Sequence, residues 1–236
     1  MDGRRELKKG AMSYQSVNPS SGETTKEFEE MTDAQVKNAI STAAACFEHW
    51  RKNTYAERAV IVNKAAELMA ASVDQFARLA TAEMGKRISE ARGEVTLSSD
   101  ILAYYAKNAE TFLAPVALHP SVGEAHMETS PIGVIFCVEP SNFPFYQLAR
   151  VAGPQLMAGN VVMVKHAGIV PQCAIAFEKL WLDAGGPPGL YTNLLISHRQ
   201  SDMLVDDPRI KGGVDRQYRR GPEHRCGCRH EPRFGR

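Results

Sequence analysis

From residue 133 onward the chain alternates short apolar runs with amphipathic stretches of helix length. Residues 133–138, 161–164 and 190–196 are the runs, and 210–214 opens a fourth. Residues 145–158 and 171–184 lie between them with helical pattern, and 197–207 reads as one more helix. Continuous apolar strands separated by helices of about ten to fifteen residues predict a parallel sheet with both faces covered. Parallel neighbours cannot be joined by a tight turn, so each strand needs such a crossover.

The first half is helical after an irregular start. Asn18-Pro19-Ser20-Ser21-Gly22-Glu23 is a turn cluster between short extended pieces. Thr32 followed three residues later by Gln35 predicts a capping box. The helix it opens carries Val36, Ile40, Ala43, Phe47 and Trp50 on one stripe. A second helix follows, with Ile61, Ala65 and Leu68 beside Val62, Ala66 and Met69. Further helices are predicted over 73–84 and 89–112, broken at Gly85-Lys86, and 127–130 reads as extended. The fold class is therefore α/β, a helical region leading into a parallel sheet that stops near residue 214. No longer internal repeat is visible.

The 236 residues allow one large domain or two small ones, and 44% hydrophobic residues are ample for a core. The net charge of +1 is unevenly spread, because residues 215–236 hold seven arginines against three acids. The body is mildly acidic, which gives no electrostatic reason to expect nucleic acid as a partner. Five scattered cysteines (Cys46, Cys137, Cys173, Cys226, Cys228) form no disulfide framework, no apolar run is long enough to span a membrane, and residues 1–11 lack a secretory apolar core. The expectation is a cytoplasmic protein with reduced thiols and no membrane partner. Residues 1–13 read as an extension preceding the body.

No G-x-G-x-x-G occurs in the chain. An open parallel sheet nonetheless places ligands outside the carboxyl ends of its strands. Two loops lie there. The first is Glu139-Pro140-Ser141-Asn142-Phe143-Pro144-Phe145, in which two prolines stiffen the chain around Asn142. A rigidly held carboxamide can donate hydrogen bonds to an oxyanion, an effect worth about 3 kcal/mol. The same residues also fit a proline-rich turn whose Asn serves local backbone. The second loop is Lys165-His166-Ala167-Gly168. A lysine at a strand end can meet a nucleotide's ribose or phosphate, or it can be simply solvated. His166 reads as a packing or loop histidine.

Taken together, these pieces resemble the aldehyde dehydrogenase family. The resemblance rests on Asn-Pro-Ser-Ser-Gly-Glu at 18–23, Glu83-Met84-Gly85-Lys86 and the Pro140-x-Asn142-Phe143-Pro144 loop. It rests also on Ala158-Gly159-Asn160 before a strand ending in Lys165, and on Gly186-Pro187-Pro188-Gly189 leading to Asn193. All five stand in order over residues 14–214. Lys165-His166-Ala167 followed by Val170-Pro171-Gln172-Cys173 is most similar to the succinate-semialdehyde dehydrogenase branch. The resemblance implies an aldehyde dehydrogenase-like fold with a Rossmann-like cofactor sheet, and oxidation of an aldehyde to the acid with NAD or NADP. It makes Asn142 the oxyanion donor, Lys165 a contact to the adenosine ribose, and Glu139, Pro140 and Ser141 part of the cofactor wall, with no metal. In that chemistry a cysteine thiolate attacks the carbonyl, hydride passes to the nucleotide, and a glutamate activates water. A small aldehyde is the expected partner, and a homo-oligomer is expected of an intact member, through an arm using parts of 14–30 and 120–131.

Three departures bear on these expectations. The family usually has Trp where this chain has Ser141, and losing an indole there would loosen Asn142. Many NAD-preferring members carry Glu where this chain has Gly168, so a 2′-phosphate meets no repulsion there. The family's nucleophilic Cys and basic Glu belong to a second half that the chain does not include. Cys137, in an apolar strand, and Cys173, near a helix start, read as structural thiols rather than substitutes. The chain as it stands is therefore expected to be inactive. The alternative function is that of a non-catalytic fragment that joins intact subunits or holds nucleotide weakly.

Residues 215–236 have no apolar periodicity. His224, Cys226, Cys228 and His230 alternate too closely for a structural zinc site. An Arg-, Gly-, Pro- and Cys-rich run is what GC-rich coding sequence yields out of frame. A one-base shift of a permitted back-translation gives Thr-Gly-Ser followed by a small-residue, helix-like stretch. The tail is read as frameshifted, the alternative being a natural truncation with a functional basic end; resequencing the coding DNA from the Gly212 codon separates the two.

Overall fold

The computed structural model describes residues 14–215, with side chains described through Gly212. The expectations for residues 1–13 and for the tail from Arg216 onward, its His/Cys run included, lie outside the described residues. The chain opens with an antiparallel pair, β1 (Tyr14–Val17) and β2 (Thr24–Phe28). Their turn is closed by Asn18, whose main-chain carbonyl accepts from Gly22 N at 2.8 Å and whose side chain accepts from Ser20 N at 2.9 Å. Gly22 takes the left-handed conformation there, φ 73°.

Four helices follow. In α1 (Asp33–Trp50) Thr32 and Gln35 form the expected capping box, and all five residues of the stripe are buried. A second capping box, Thr54 with Glu57, starts α2 (Tyr55–Ala71). Of the two neighbouring stripes on that helix, the one with Val62, Ala66 and Met69 faces the core together with Ala65, while Ile61 and Leu68 flank it. Helix α3 (Val73–Met84) ends on Gly85, at φ 66°, which turns the chain into α4 (Ile88–Phe112). Two exposed three-residue strands, β3 (Val116–Leu118) and β4 (Ala125–Met127), then pair antiparallel. The expected extended stretch at 127–130 thus reduces to its first residue, because the hairpin's pairing ends at Val116 opposite Met127.

The sheet is parallel throughout: β5 (Val134–Glu139), β6 (Val161–His166), β7 (Tyr191–Asn193) and β8 (Ile210–Asp215), in the order β7-β6-β5-β8. Helices α5 (Tyr146–Met157), α6 (Pro171–Asp183) and α7 (His198–Asp206) are the crossovers. The run at 190–196 forms a shorter strand than its apolar length predicts. Leu194 N still donates to Val164 O at 2.8 Å, but past it the backbone bonds leave the sheet: Leu195 O accepts from Met31 N at 2.8 Å, and Ile196 bonds both ways to the Tyr14 hydroxyl. No helix among the described residues is long and apolar enough to cross a membrane.

Long-range polar bonds tie the helical region to the sheet. Arg58 is 5% exposed and donates to Met157 O and Arg51 O, each at 3.0 Å, placing a cation at the carboxyl ends of α5 and α1. Trp50 Nε1 donates to Leu156 O at 3.0 Å beside it. Asn160 Oδ1 accepts from Ile132 N and Gly133 N, at 2.7 and 3.1 Å, setting the entry to β5. Gly189, at φ 87°, lies so close to α1 that a Cβ would stand 2.7 Å from Thr42 O. The Ala158-Gly159-Asn160 and Gly186-to-Gly189 signatures are therefore packing devices.

Candidate functional site

The site lies at the carboxyl edge of the sheet. The parallel register aligns Val138 with Lys165 and Glu139 with His166, so the loops leaving β5 and β6 are neighbours. Pro140 and Ser141 are half-buried, and Asn142 is exposed. The loop between the two strand ends is held from three sides.

From within the sheet, His166 reaches both ends of the first loop. Ala167 N–H donates to its Nδ1 at 2.9 Å, which leaves Nε2–H to donate to Pro144 O at 3.0 Å, while Nδ1 also lies 3.2 Å from Glu139 O. The ring is 2% exposed, as expected of a packing histidine. Burial pushes its pKa below the ordinary value, and the neighbouring Lys165 charge adds to this against the two carbonyls. A depressed histidine pKa means the folded chain binds fewer protons than the unfolded one below the unfolded value of about 6.5. Stability from this group is complete above that pH and is lost as pH falls through it. Lowering pH from about 7.5 to about 5.5 should therefore lower the unfolding free energy. Urea midpoints at the two pH values test this. His166→Gln should flatten the difference, and an unchanged slope in that variant would refute the assignment.

From the helical region come two acidic residues and a lysine. Glu94 on α4 has its side chain 1% exposed, and its Oε1 accepts from Phe145 N at 2.8 Å and Tyr146 N at 3.2 Å, at the start of α5. Its other oxygen pairs with Lys86 Nζ. Lys86 Nζ also donates to Asn142 O at 3.2 Å and stands 3.8 Å from the Phe143 ring centroid. Glu83, 3% exposed, does for α6 what Glu94 does for α5: its carboxylate accepts from Gln172 N at 2.9 Å and Cys173 N at 3.0 Å. The Asn142 loop is thus anchored by Lys86, Glu94 and His166, a hold that does not pass through the side chain at 141.

The third wall is the N-terminal hairpin. The Tyr14 ring lies 5.9 Å from Lys165 Nζ, and its hydroxyl donates to Ile196 O at 2.7 Å. Burial pushes that hydroxyl's pKa up to about 12, so it stays protonated and keeps donating. Lys165 is 7% exposed and Glu139 8%, both more enclosed than a solvated strand-end pair. Gly168 is exposed, and a Cβ there would meet only the Tyr14 ring, at an ordinary 3.8 Å.

The sequence reading placed Asn142, Lys165, Glu139, Pro140 and Ser141 at this edge, and the fold brings their two loops together. It missed Tyr14, Lys86, Glu94 and Glu83. Glu83 and Lys86 stand within a motif named above, but the loop and the helix whose main chain they hold lie 56 to 90 residues further along the chain. Thiol chemistry has little to offer here. Cys46, Cys137 and Cys173 are buried; burial pushes Cys46 up to about 11, and burial beside the Glu83 carboxylate holds Cys173 well above its ordinary value.

Known proteins share this architecture. A succinate-semialdehyde dehydrogenase [NADP(+)] from Deinococcus radiodurans is 40% identical over 199 residues, covering 84% of this chain and 42% of the relative. A probable succinate-semialdehyde dehydrogenase [NADP(+)] from Synechocystis is 37% identical over 203 residues, covering 86% of this chain and 45% of the relative. The crystal structure of succinic semialdehyde dehydrogenase from Streptococcus pyogenes, in complex with NADP+, superposes with a TM-score of 0.83 at 38% identity, over 85% of this chain and 44% of that one. The chain spans less than half the length of the curated relatives it matches. Residues 7–212 match the model of the aldehyde dehydrogenase family. With its sheet, its crossovers and its stapled strand-end loops in that arrangement, this chain belongs to the aldehyde dehydrogenase family.

Proposed function

We propose that the chain forms the cofactor-binding and oxyanion-binding portion of an NADP-dependent aldehyde dehydrogenase acting on a short carboxylated aldehyde, succinate semialdehyde foremost. The observation that carries this reading is the juxtaposition of the Glu139–Asn142 and Lys165–Gly168 segments at one sheet edge. The relatives named above, which carry NADP and succinate semialdehyde in their own names, support it.

The residues present fit a phosphorylated nucleotide. Lys165 supplies a positive charge at the end of β6, Ser141 a hydroxyl and Glu139 a carboxylate, while Gly168 offers open space with no anionic side chain. The nucleotide, when bound, accepts hydride from the substrate carbon. The chain's own part is to orient the adenosine against Lys165 and to aim the exposed Asn142 carboxamide at the aldehyde oxygen as negative charge develops there. Without a carboxylate at position 168, the 2′-phosphate is favoured by Lys165 and opposed by nothing on that loop.

Calorimetric titration of the purified chain tests the cofactor half of this reading. NADP+ should bind at least about tenfold more tightly than NAD+, a difference of roughly 1.4 kcal/mol. Equal affinities, or tighter NAD+ binding, would refute it. The buried state of the described thiols predicts a second result. With succinate semialdehyde and either nucleotide, this 236-residue chain should give no absorbance change at 340 nm above background; sustained turnover would show that another group in the chain supplies the nucleophile.

A further inference from the structure

The ammonium of Lys86 lies against the main chain of the residue whose side chain is assigned to the aldehyde oxygen. Gly85, in the left-handed conformation, ends α3 and directs Lys86 towards the loop after β5. Three groups then converge on Nζ: the Asn142 carbonyl at 3.2 Å, the Phe143 ring centroid at 3.8 Å, and the Glu94 carboxylate. The Lys86 side chain is 12% exposed and that of Glu94 1%, so this is an enclosed, charge-assisted contact rather than a solvated pair.

We propose that Lys86 is a positioning residue for Asn142, and that Glu94 in turn fixes Lys86; the proposal rests on the oxyanion role given to Asn142 above. The Asn142 carbonyl and the Phe143 ring flank one peptide unit, and a single cation touches both. Holding that unit sets the direction in which the Asn142 Cα carries its carboxamide. Glu94 divides its two oxygens between this task and α5: Oε2 holds Lys86, and Oε1 holds Phe145 N and Tyr146 N. The loop and the helix that follows it are therefore registered to one carboxylate. A carboxamide that is already aimed gives more transition-state stabilisation than one that must be ordered during reaction, because no reorganisation remains at that moment.

Nuclear magnetic resonance on the isotope-labelled chain tests this without catalysis. In the wild-type chain a scalar coupling across the hydrogen bond should connect Lys86 Nζ to the Asn142 carbonyl carbon, and its absence overturns the proposal. The second arm is the double variant Lys86→Met with Glu94→Gln. It removes both charges but keeps an amide oxygen for Phe145 N and Tyr146 N. The Asn142 carboxamide and Phe143 amide signals should shift and broaden, while the Phe145 and Tyr146 amides stay in place. An unmoved Asn142 carboxamide overturns the proposal. So does movement of all four together, which would make the pair a support of α5 alone. Should the double variant fail to fold, the wild-type coupling decides the matter. Neither arm depends on nucleotide affinity or turnover, so this proposal and the functional reading can fail separately.

Discussion

Replacing Glu94 with alanine should destabilise the chain by about 3–5 kcal/mol, the usual loss when one partner of a buried ion pair is removed. Two consequences add in the same direction. Lys86, with only 12% of its side chain exposed, loses its carboxylate partner, and Phe145 N and Tyr146 N lose their acceptor at the start of α5. A loss of that size is a large fraction of the roughly 5–15 kcal/mol a typical domain has in total. In a urea titration followed by far-ultraviolet circular dichroism, the transition should move to much lower urea or vanish. Glu94→Gln separates the causes, because its amide oxygen can still accept from both N–H groups. It should cost clearly less than the alanine change; equal costs would mean that the hydrogen bonds to α5 contribute nothing.

The second large effect is expected at Glu83. Its carboxylate is the acceptor for two main-chain N–H groups in the first turn of α6, Gln172 N and Cys173 N. Hydrogen bonds to a charged group are worth about 1.5–3 kcal/mol each, and the helix dipole favours an anion at that end. Glu83→Ala should therefore cost about 3 kcal/mol or more. It should also lower the pKa of the Cys173 thiol, since the Glu83 charge is one of the groups holding that thiol up. Urea unfolding measures the first effect, and thiol reactivity against pH measures the second. A variant within about 0.5 kcal/mol of wild type, the range of an ordinary surface substitution, would show that Glu83 is not a structural cap.

These two glutamates mark where the sequence ceases to be legible. The stripe from Val36 to Trp50 was readable because helical periodicity records burial directly, and every member is buried. The strands at β5 and β6 were readable for the same reason, as apolar runs too short to be helices. Register then brought the two candidate loops together without further information. Glu83 and Glu94 carry no such mark, because an acidic residue within a helical segment reads as solvent-facing. Their burial is decided by N–H groups 51 to 90 residues further on. Hairpin β3–β4 was invisible as paired strands for the opposite reason: each strand has three residues, all exposed, so neither face leaves a pattern. The strand read at 190–196 was too long because apolar character reports burial but not the identity of the bonding partner. For Leu195 and Ile196 the partners are Met31 and Tyr14, from the other end of the chain.

The Ser141 departure illustrates the limit of reasoning from a motif. An indole missing from that position suggested a loosened Asn142. The main chain of the loop is held separately, through Lys86 at the Asn142 carbonyl, Glu94 at α5 and His166 at Pro144. Main-chain anchors of this kind are indifferent to the side chain at 141. Gly168 is the converse case. Its backbone conformation needs no glycine, and a Cβ there meets no obstacle, so its chemical meaning lies in the charge it does not carry.

The most direct measurement is a map of amide chemical-shift changes on adding NADP+ to the labelled chain. The largest changes should fall on Glu139, Ser141 and Asn142 and on residues 165–168, at the carboxyl edge of β5 and β6, and Lys165→Ala should abolish them. Changes centred elsewhere, or changes that survive in Lys165→Ala, would contradict the placement of the nucleotide at this edge.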